Sequence, residues 1–341
     1  MIEKRDRAID IAKLVMAVLV ICIHTDPLES YSVTGNFILT RVIARVAVPF
    51  FFMAAGYYFW GKTRSTAQVF KYLKKIAFLY LVWSAIYTLV NGYTWMKAGF
   101  TAEWLLQYGK QFVFVGSYYH LWFLPALMIA ISIVYYLQKW MPLTAVVGIS
   151  LVLYVFGLLA DSYYGLATQV PILQQSIDSY LTLFEYSRNG LFFGFPYVAL
   201  GAFLSQSTLR MKLSQSFCKF GLVLSVCCLI VEAAILRNWE WPRHDSMYLF
   251  LVPVVVIVFL LIMKTDMQER PFYKYTSDVS MLLYLIHPAV ILAVRAISHL
   301  IPVLKTDSLI YFAATLTLSF TLSHLWLRRK RNVATTSLGR N

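Results

Sequence analysis

Apolar residues run through this chain in long blocks, and polar residues are confined mainly to the segments between them. The blocks fall at about 8–25, 36–60, 71–91, 118–138, 142–160, 189–206, 216–236, 245–263, 279–301 and 308–328. Most approach the roughly 20 residues that a helix needs to cross a bilayer's hydrocarbon core. A helix satisfies its own backbone hydrogen bonds there, so blocks of this kind imply spanning helices. The pattern predicts an all-α, polytopic membrane bundle of about ten spans. Residues 1–330 are expected to form the transmembrane domain, and 331–341 a short basic cytoplasmic tail. Composition agrees, with 60% of the 341 residues apolar, 13% charged and a mean hydropathy of +0.65. Soluble domains do not reach that balance. No stretch is polar and long enough for a separate soluble domain, and no internal repeat supports an inverted-repeat carrier.

Charge adds an orientation. A net charge of +14 on a soluble domain would suggest nucleic acid. Here the cations are spread between the spans, so the expected partner is the lipid bilayer and not nucleic acid. If the N-terminus is cytoplasmic, twenty Lys and Arg fall in inner segments and six in outer ones. That positive-inside bias puts both termini in the cytoplasm of a multi-pass protein in a bacterial cell membrane. The outer connections, about 92–117 and 161–188, carry apolar-periodic stretches such as EWLLQYGKQFVF. They are expected to form interfacial or re-entrant helices at the outer mouth. Cys22, Cys218, Cys227 and Cys228 lie in or beside apolar blocks with neither disulfide nor metal-ligand spacing, so no metal is expected. The motifs of soluble hydrolases, zinc proteases and nucleotide-binding enzymes are absent.

Ionisable residues inside apolar blocks are the candidate chemistry, because an intramembrane charge is expensive unless it faces a partner or a wet cavity. The first block holds Asp10, Lys13 and His24. Asp10 and Lys13 can pair across one turn. Lys13 and His24, eleven residues apart, fall on nearly the same helical face, about 16 Å apart. A signal peptide is disfavoured, since His-Thr-Asp-Pro stands where small residues should mark cleavage. The structural alternative stays open: Lys13 snorkels to the surface and His24 is an ordinary helix-end residue. In the second block Arg41 and Arg45, four apart, are expected to share a face above a kink at Pro49. Asp26, Glu29 and Glu232 are candidate partners for them.

Lys62, Arg64, Lys71, Lys74 and Lys75 cluster at the inner end of the next span. Anionic lipid explains such a cluster; Lys71 and Lys74, three apart, also suit the phosphates of a ligand. His120 and Trp122 open the fourth block. His287 precedes Pro288 near the middle of the ninth, facing either a cavity or a neighbouring hydroxyl. The outer aromatics Trp95, Trp104, Tyr163, Tyr164, Trp239 and Trp241 read as an interfacial belt, with sugar stacking as a second role.

Several stretches, taken in order, resemble the acyltransferase-3 family of integral membrane acyltransferases. Lys13, ten residues and His24 is similar to that family's arginine-x10-histidine signature. Val48-Pro49-Phe50-Phe51-Phe52-Met53 through Gly56 is similar to its "VPxFFxxSG" stretch, with Ala55 at the usual serine. Lys71-Tyr72-Leu73-Lys74 stands where arginine-x-x-arginine is common. His120-Leu121-Trp122-Phe123-Leu124 and Tyr284-Leu285-Ile286-His287-Pro288 complete the series. Lysine keeps the charge of arginine at three positions but loses its bidentate fork. The lysine variant looks closest to the membrane domain of the glycopeptide-resistance serine racemases and their stand-alone relatives, without the racemase part.

The resemblance implies transfer of an acyl group, with acetyl the expected case, from cytoplasmic acyl-CoA to a hydroxyl of an extracytoplasmic glycan or other acceptor. Lys13, Lys71 and Lys74 would meet the donor's phosphates. His24, Asp10, Arg45 and Glu232 are the candidate catalytic residues, with His24 as general base and an arginine at the oxyanion. Arg41, His120, Trp122 and His287 are the candidates for holding the acceptor. A transporter or flippase of a small amino acid or lipid-linked sugar is the alternative.

The orientation is directly testable. Tags at Met1 and Asn341 are both expected to resist membrane-impermeant reagents in intact cells, and labelling of either from outside overturns the charge-bias argument.

Overall fold

The structure is a computed structural model describing residues 7–60, 65–98, 101–267 and 272–338. Helices occupy every predicted block. They are α1 (Arg7–Thr25), α2 (Val33–Trp60), α3 (Thr66–Ala98), α4 (Ala102–Phe114), α5 (Phe123–Leu137), α6 (Leu143–Leu159), α7 (Pro171–Phe184), α8 (Gly190–Gln206), α9 (Gln215–Asn238), α10 (Leu251–Lys264), α11 (Phe272–Ile297) and α12 (Ser308–Leu338). No strand occurs among the described residues. By length and apolar composition α1, α2, α3, α9, α11 and α12 can each cross a membrane, while α5, α6, α8 and α10 are apolar but shorter. The chain is thus a polytopic helical membrane protein. Helices α4 and α7 fall in the connections 92–117 and 161–188, where periodicity predicts them. Residues 331–338 continue the last helix. Lys62, Arg64 and the side chains of Trp95 and Trp104 lie outside the described residues.

The chain divides into two compact units, Met1–Val48 with Val258–Asn341, and Pro49–Ile257. In the first, α1 packs along α11 and touches α12, and α11 packs along α12. The α1 stripe Ile9, Ala12, Met16, Ala17, Val20 and Ile21 is buried, with the three- and four-residue spacing of one helical face. On α12, Thr315, Ser319 and Ser323 are fully buried four residues apart, and such small side chains let membrane helices approach closely. The segment after α1 is fastened to the chain before α12. Ser308 Oγ donates to the Pro27 carbonyl at 2.9 Å, and Tyr31 hydroxyl donates to Asp307 Oδ2 at 2.6 Å. That last bond holds the Asp307 carboxyl below its ordinary value and raises the Tyr31 phenol.

In the second unit α5, α6 and α8 interlock, with α3 and α4 lying on α5. The part of α2 from Pro49 onward meets α8 backbone to backbone. A Cβ on Gly56 would collide with the Val198 carbonyl, and one on Gly201 with the Met53 carbonyl. The two glycines therefore set the crossing distance reciprocally, each making room for the other helix's main chain. This is the physical reason for glycine in the Val48–Gly56 stretch.

Helix α2 departs from the sequence expectation before Pro49. Residues Ile38–Val42 form a π turn, Ile43–Val46 a 3₁₀ turn, and α geometry resumes at Ala47. Pro49 sits in the first turn of that resumed α stretch, where a proline's missing N–H costs little. The shared face expected for Arg41 and Arg45 required uniform α pitch, which the chain does not keep here.

Gly56→Leu or Gly201→Leu is expected to cost about 3 kcal/mol or more through overpacking. Gly148→Leu, where a Cβ meets nothing within 4 Å, is the matched control. Thermal unfolding in detergent reads the difference.

Candidate functional site

The site begins where α1 ends. Asp26 adopts a left-handed conformation, φ 46°, and its N–H closes on the Cys22 carbonyl at 3.0 Å. Aspartate tolerates that region better than most residues, and here it stops the helix one residue after Thr25. Its Oδ1 accepts from Asn36 Nδ2 at 3.1 Å and from Thr40 Oγ1 at 3.3 Å, with Arg41 Nη2 at 3.7 Å. Asn36 also donates to Glu29 Oε2 at 2.7 Å and accepts from Leu28 N–H at 3.3 Å. Asn36 is thus the centre of a knot joining the end of α1, the following segment and the start of α2. Asn36 and Thr40 are buried, so their polar atoms must find partners within the protein.

His24 is the last residue but one of α1, at this same end. Its ring stacks on that of His287 from α11, with centroids 5.4 Å apart and planes inclined by 22°. His287 is fully buried, and its Nδ1 lies 2.9 Å from the Leu283 carbonyl. A carbonyl can only accept, so Nδ1 carries the proton and Nε2 the lone pair of the neutral ring. At the other end of α1, Lys13 Nζ pairs with Asp10 Oδ1 at 3.3 Å, as the three-residue spacing predicts, and the Asp10 side chain is almost wholly buried. Asp10 therefore neighbours Lys13 and is nearly four turns from His24 along the same helix.

The remaining candidates belong to the second unit. Lys71 and Lys74 are exposed near the start of α3. His120 is buried among Tyr87, Tyr118 and Tyr119. Trp122 is buried against Phe52 and Phe193, and the Arg188 guanidinium lies 5.0 Å above its ring. That cation–π contact occupies an aromatic face otherwise suited to a ligand. Tyr186 lies on the same guanidinium at 5.3 Å, and Arg188 Nη1 reaches Ser246 Oγ at 3.4 Å. Burial pushes the guanidinium below its ordinary value, while Asp161 acts in the opposite sense.

Glu232 is engaged otherwise than expected from sequence. Its carboxylate accepts from Tyr163 hydroxyl at 2.7 Å, Leu249 N–H at 2.6 Å and Phe250 N–H at 2.9 Å. Asp161 Oδ1 likewise accepts from the N–H groups of Ser246 and Met247 at 2.8 and 3.0 Å. The two carboxylates supply partners for irregular backbone leading into α10, which cannot satisfy itself. Glu232 therefore holds this segment, and the carboxylate nearest His24 along the chain is Asp26.

Sequence reading missed Asn36 and Thr40. Their signal is two polar residues four apart at the head of an apolar block, the spacing of one helical face. Nothing in sequence announces the pairing of His24 with His287.

Residues 6–325 match the family described as "Acyltransferase domain". The chain belongs to this acyltransferase family. An "Amino-acid racemase" of Enterococcus faecalis is 33% identical over 340 residues, covering 97% of this chain and 47% of that protein. A "Serine/alanine racemase" of Enterococcus gallinarum is 31% identical over 340 residues, covering 96% and 47%. This acyltransferase-family chain thus spans about half the length of these curated relatives. No solved structure matches it.

Asn36→Leu removes the knot's central amide and is expected to cost about 2–3 kcal/mol, because its hydrogen bonds to the Asp26 and Glu29 carboxylates and from Leu28 N–H are lost. Asn36→Asp is expected to be worse at neutral pH, where a third carboxylate faces Asp26 and Glu29. The introduced acid has its folded pKa raised by those neighbours. Its protonated form can donate, so stability should recover as pH falls towards the ordinary carboxylate range near 4. Unfolding scans at several pH values check the sign.

Proposed function

We propose that the chain transfers an acyl group, with acetyl as the expected case, from cytoplasmic acyl-CoA to a hydroxyl of an extracytoplasmic cell-envelope carbohydrate. Membership of the acyltransferase family supports the reaction class. The observation that carries the residue assignment is the stacking of His24 on His287, beside the Asp26, Asn36, Thr40 and Arg41 knot.

A hydroxyl attacks a thioester slowly until its proton is taken in the transition state. In this reading His24 takes that proton as the acceptor oxygen bonds to the thioester carbonyl carbon. The carbonyl electron pair moves to oxygen, and Arg41 or Arg45 offsets the charge that develops there. Collapse of the tetrahedral adduct re-forms the carbonyl and breaks the carbon–sulfur bond. His24 returns the proton to the departing thiolate, giving an O-acyl ester and free CoA thiol. His287 has its tautomer fixed by Leu283 and acts as a positioning residue, holding the His24 ring by stacking. Lys13, Lys71 and Lys74 are the proposed partners of the CoA phosphates. Lys13 already pairs with Asp10, so Lys71 and Lys74, both exposed, are the cations with more capacity for a new anion.

A carrier for a small amino acid or lipid-linked sugar is the second reading. The amino-acid names of the relatives favour it, although those proteins are about twice as long. One assay separates the two. Purified protein in nanodiscs is given labelled acetyl-CoA and envelope glycans, and thioester consumption is followed. Acyl transfer predicts acceptor-dependent release of CoA; a carrier leaves the thioester intact.

Within the transferase reading, His24→Ala should lower turnover by roughly 10²–10⁴-fold while CoA binding is kept. His24→Gln should not restore it, since an amide cannot accept the proton. The wild-type rate should climb with pH as the base loses its proton, and that limb should vanish in the variants. Retention of more than a small fraction of transfer, with unaltered pH dependence, removes His24 from the mechanism.

A further inference from the structure

Where the connections 92–117 and 161–188 come together, the second unit contains a cavity of about 500 Å³. Helix α4 contributes Gln107 and Gln111, the turn before α5 contributes Tyr118 and Tyr119, and the chain after α7 contributes Glu185 and Arg188. Phe114 at the end of α4 and Phe184 at the end of α7 meet edge to face, 5.1 Å between centroids. The reaction above uses none of this wall. Its size is that of a small-molecule site.

The wall's chemistry selects among ligands. Its charged residues are Glu185 and Arg188, one of each sign. Coenzyme A carries several phosphates and calls for clustered cations, so this wall is a poor match for the donor. An acyl chain calls for an aliphatic lining, and Val115 is the aliphatic side chain here. What the wall offers in quantity is tyrosine faces and amide, carboxylate and guanidinium hydrogen-bonding groups. A neutral, hydroxyl-rich ring uses both kinds at once: its C–H face against tyrosine, its hydroxyls towards the polar groups.

The wall is also held in place. Ser117 N–H donates to Tyr80 hydroxyl at 2.9 Å and Ser117 Oγ to Ser84 Oγ at 2.6 Å, which pins the turn to α3. Arg188 is clamped between aromatic rings, and its Nε is buried without a hydrogen-bond partner among the described residues. Glu185 stands at φ 63°, ψ −43°, outside the left-handed region that ordinary helix caps use. A non-glycine residue persists in such a conformation only where its surroundings over-determine it, and such residues gather at ligand sites.

We propose that this cavity is a saccharide-binding site taking a neutral mono- or disaccharide, an inference that stands apart from the function proposed above.

The test uses the full chain in nanodiscs with chitobiose, maltose and lactose as probes at millimolar concentration, read by saturation-transfer NMR, and CoA as a separate probe. At least one disaccharide should bind the wild type. Gln107→Ala with Gln111→Ala should weaken it roughly tenfold, the loss of one to two hydrogen bonds, while CoA affinity is unchanged. Tyr118→Ala should weaken it further. The two glutamines are on the surface of α4, so the double variant guards against misfolding, and unchanged CoA affinity reports intact protein. Absence of binding by all three sugars, or binding indifferent to the glutamine and tyrosine variants, overturns the proposal.

Discussion

A buried polar atom in apolar surroundings must be given a partner, and the architecture of this chain follows from that requirement. Water supplies partners at low cost in a soluble protein; within a membrane segment the chain must supply them. Asp10 and Lys13 answer each other across one turn. Asp26, Glu29, Asn36 and Thr40 form a closed exchange at the end of α1. Glu232 and Asp161 are consumed by backbone N–H groups of the segment before α10. In each case a charged or amide group stands where the helix gives out or the backbone becomes irregular, and the group's placement is explained by that local shortage of partners.

This distinction decides which carboxylates remain for chemistry. An intramembrane acid is first a functional candidate because of its cost. Glu232 fulfils that description in sequence, yet three donors already converge on it, and its removal would leave two main-chain N–H groups and a tyrosine hydroxyl unmatched. Asp26 differs, because part of its side chain is exposed and it faces Arg41 through a longer contact of 3.7 Å. A carboxylate with residual exposure and a loosely held cation can exchange partners when a substrate arrives; one locked by three short bonds cannot do so without unfolding its own segment.

How far the sequence was legible follows from the range over which each signal acts. The apolar blocks located the helices, because hydropathy accumulates over some twenty residues and no tertiary contact can reverse it. The Asp10–Lys13 pair was legible too, since both partners lie on one turn of one α-helix. Arg41 and Arg45 were not, because the same rule assumed a regular pitch and the chain passes from a π turn to a 3₁₀ turn between them. Asn36 is locally a polar residue at a block's edge; its value appears only once Asp26 has bent the chain back towards it. The meeting of His24 with His287 brings together opposite ends of the chain, and a search for local spacing cannot see it.

The same long-range meeting bears on what a histidine base needs. A ring at a helix end, left to itself, samples rotamers and both tautomers, and most of those orientations present no lone pair to a substrate. Stacking against a second ring restricts rotation about the side-chain bonds without using either nitrogen. His287 is itself fixed, donating Nδ1–H to Leu283 within its own helix. The result is a division of labour in which the buried ring is chemically committed and rigid, and the partly exposed ring rests on it by stacking. A bundle that joins α1 to α11 can build that arrangement; a single helix with one histidine cannot.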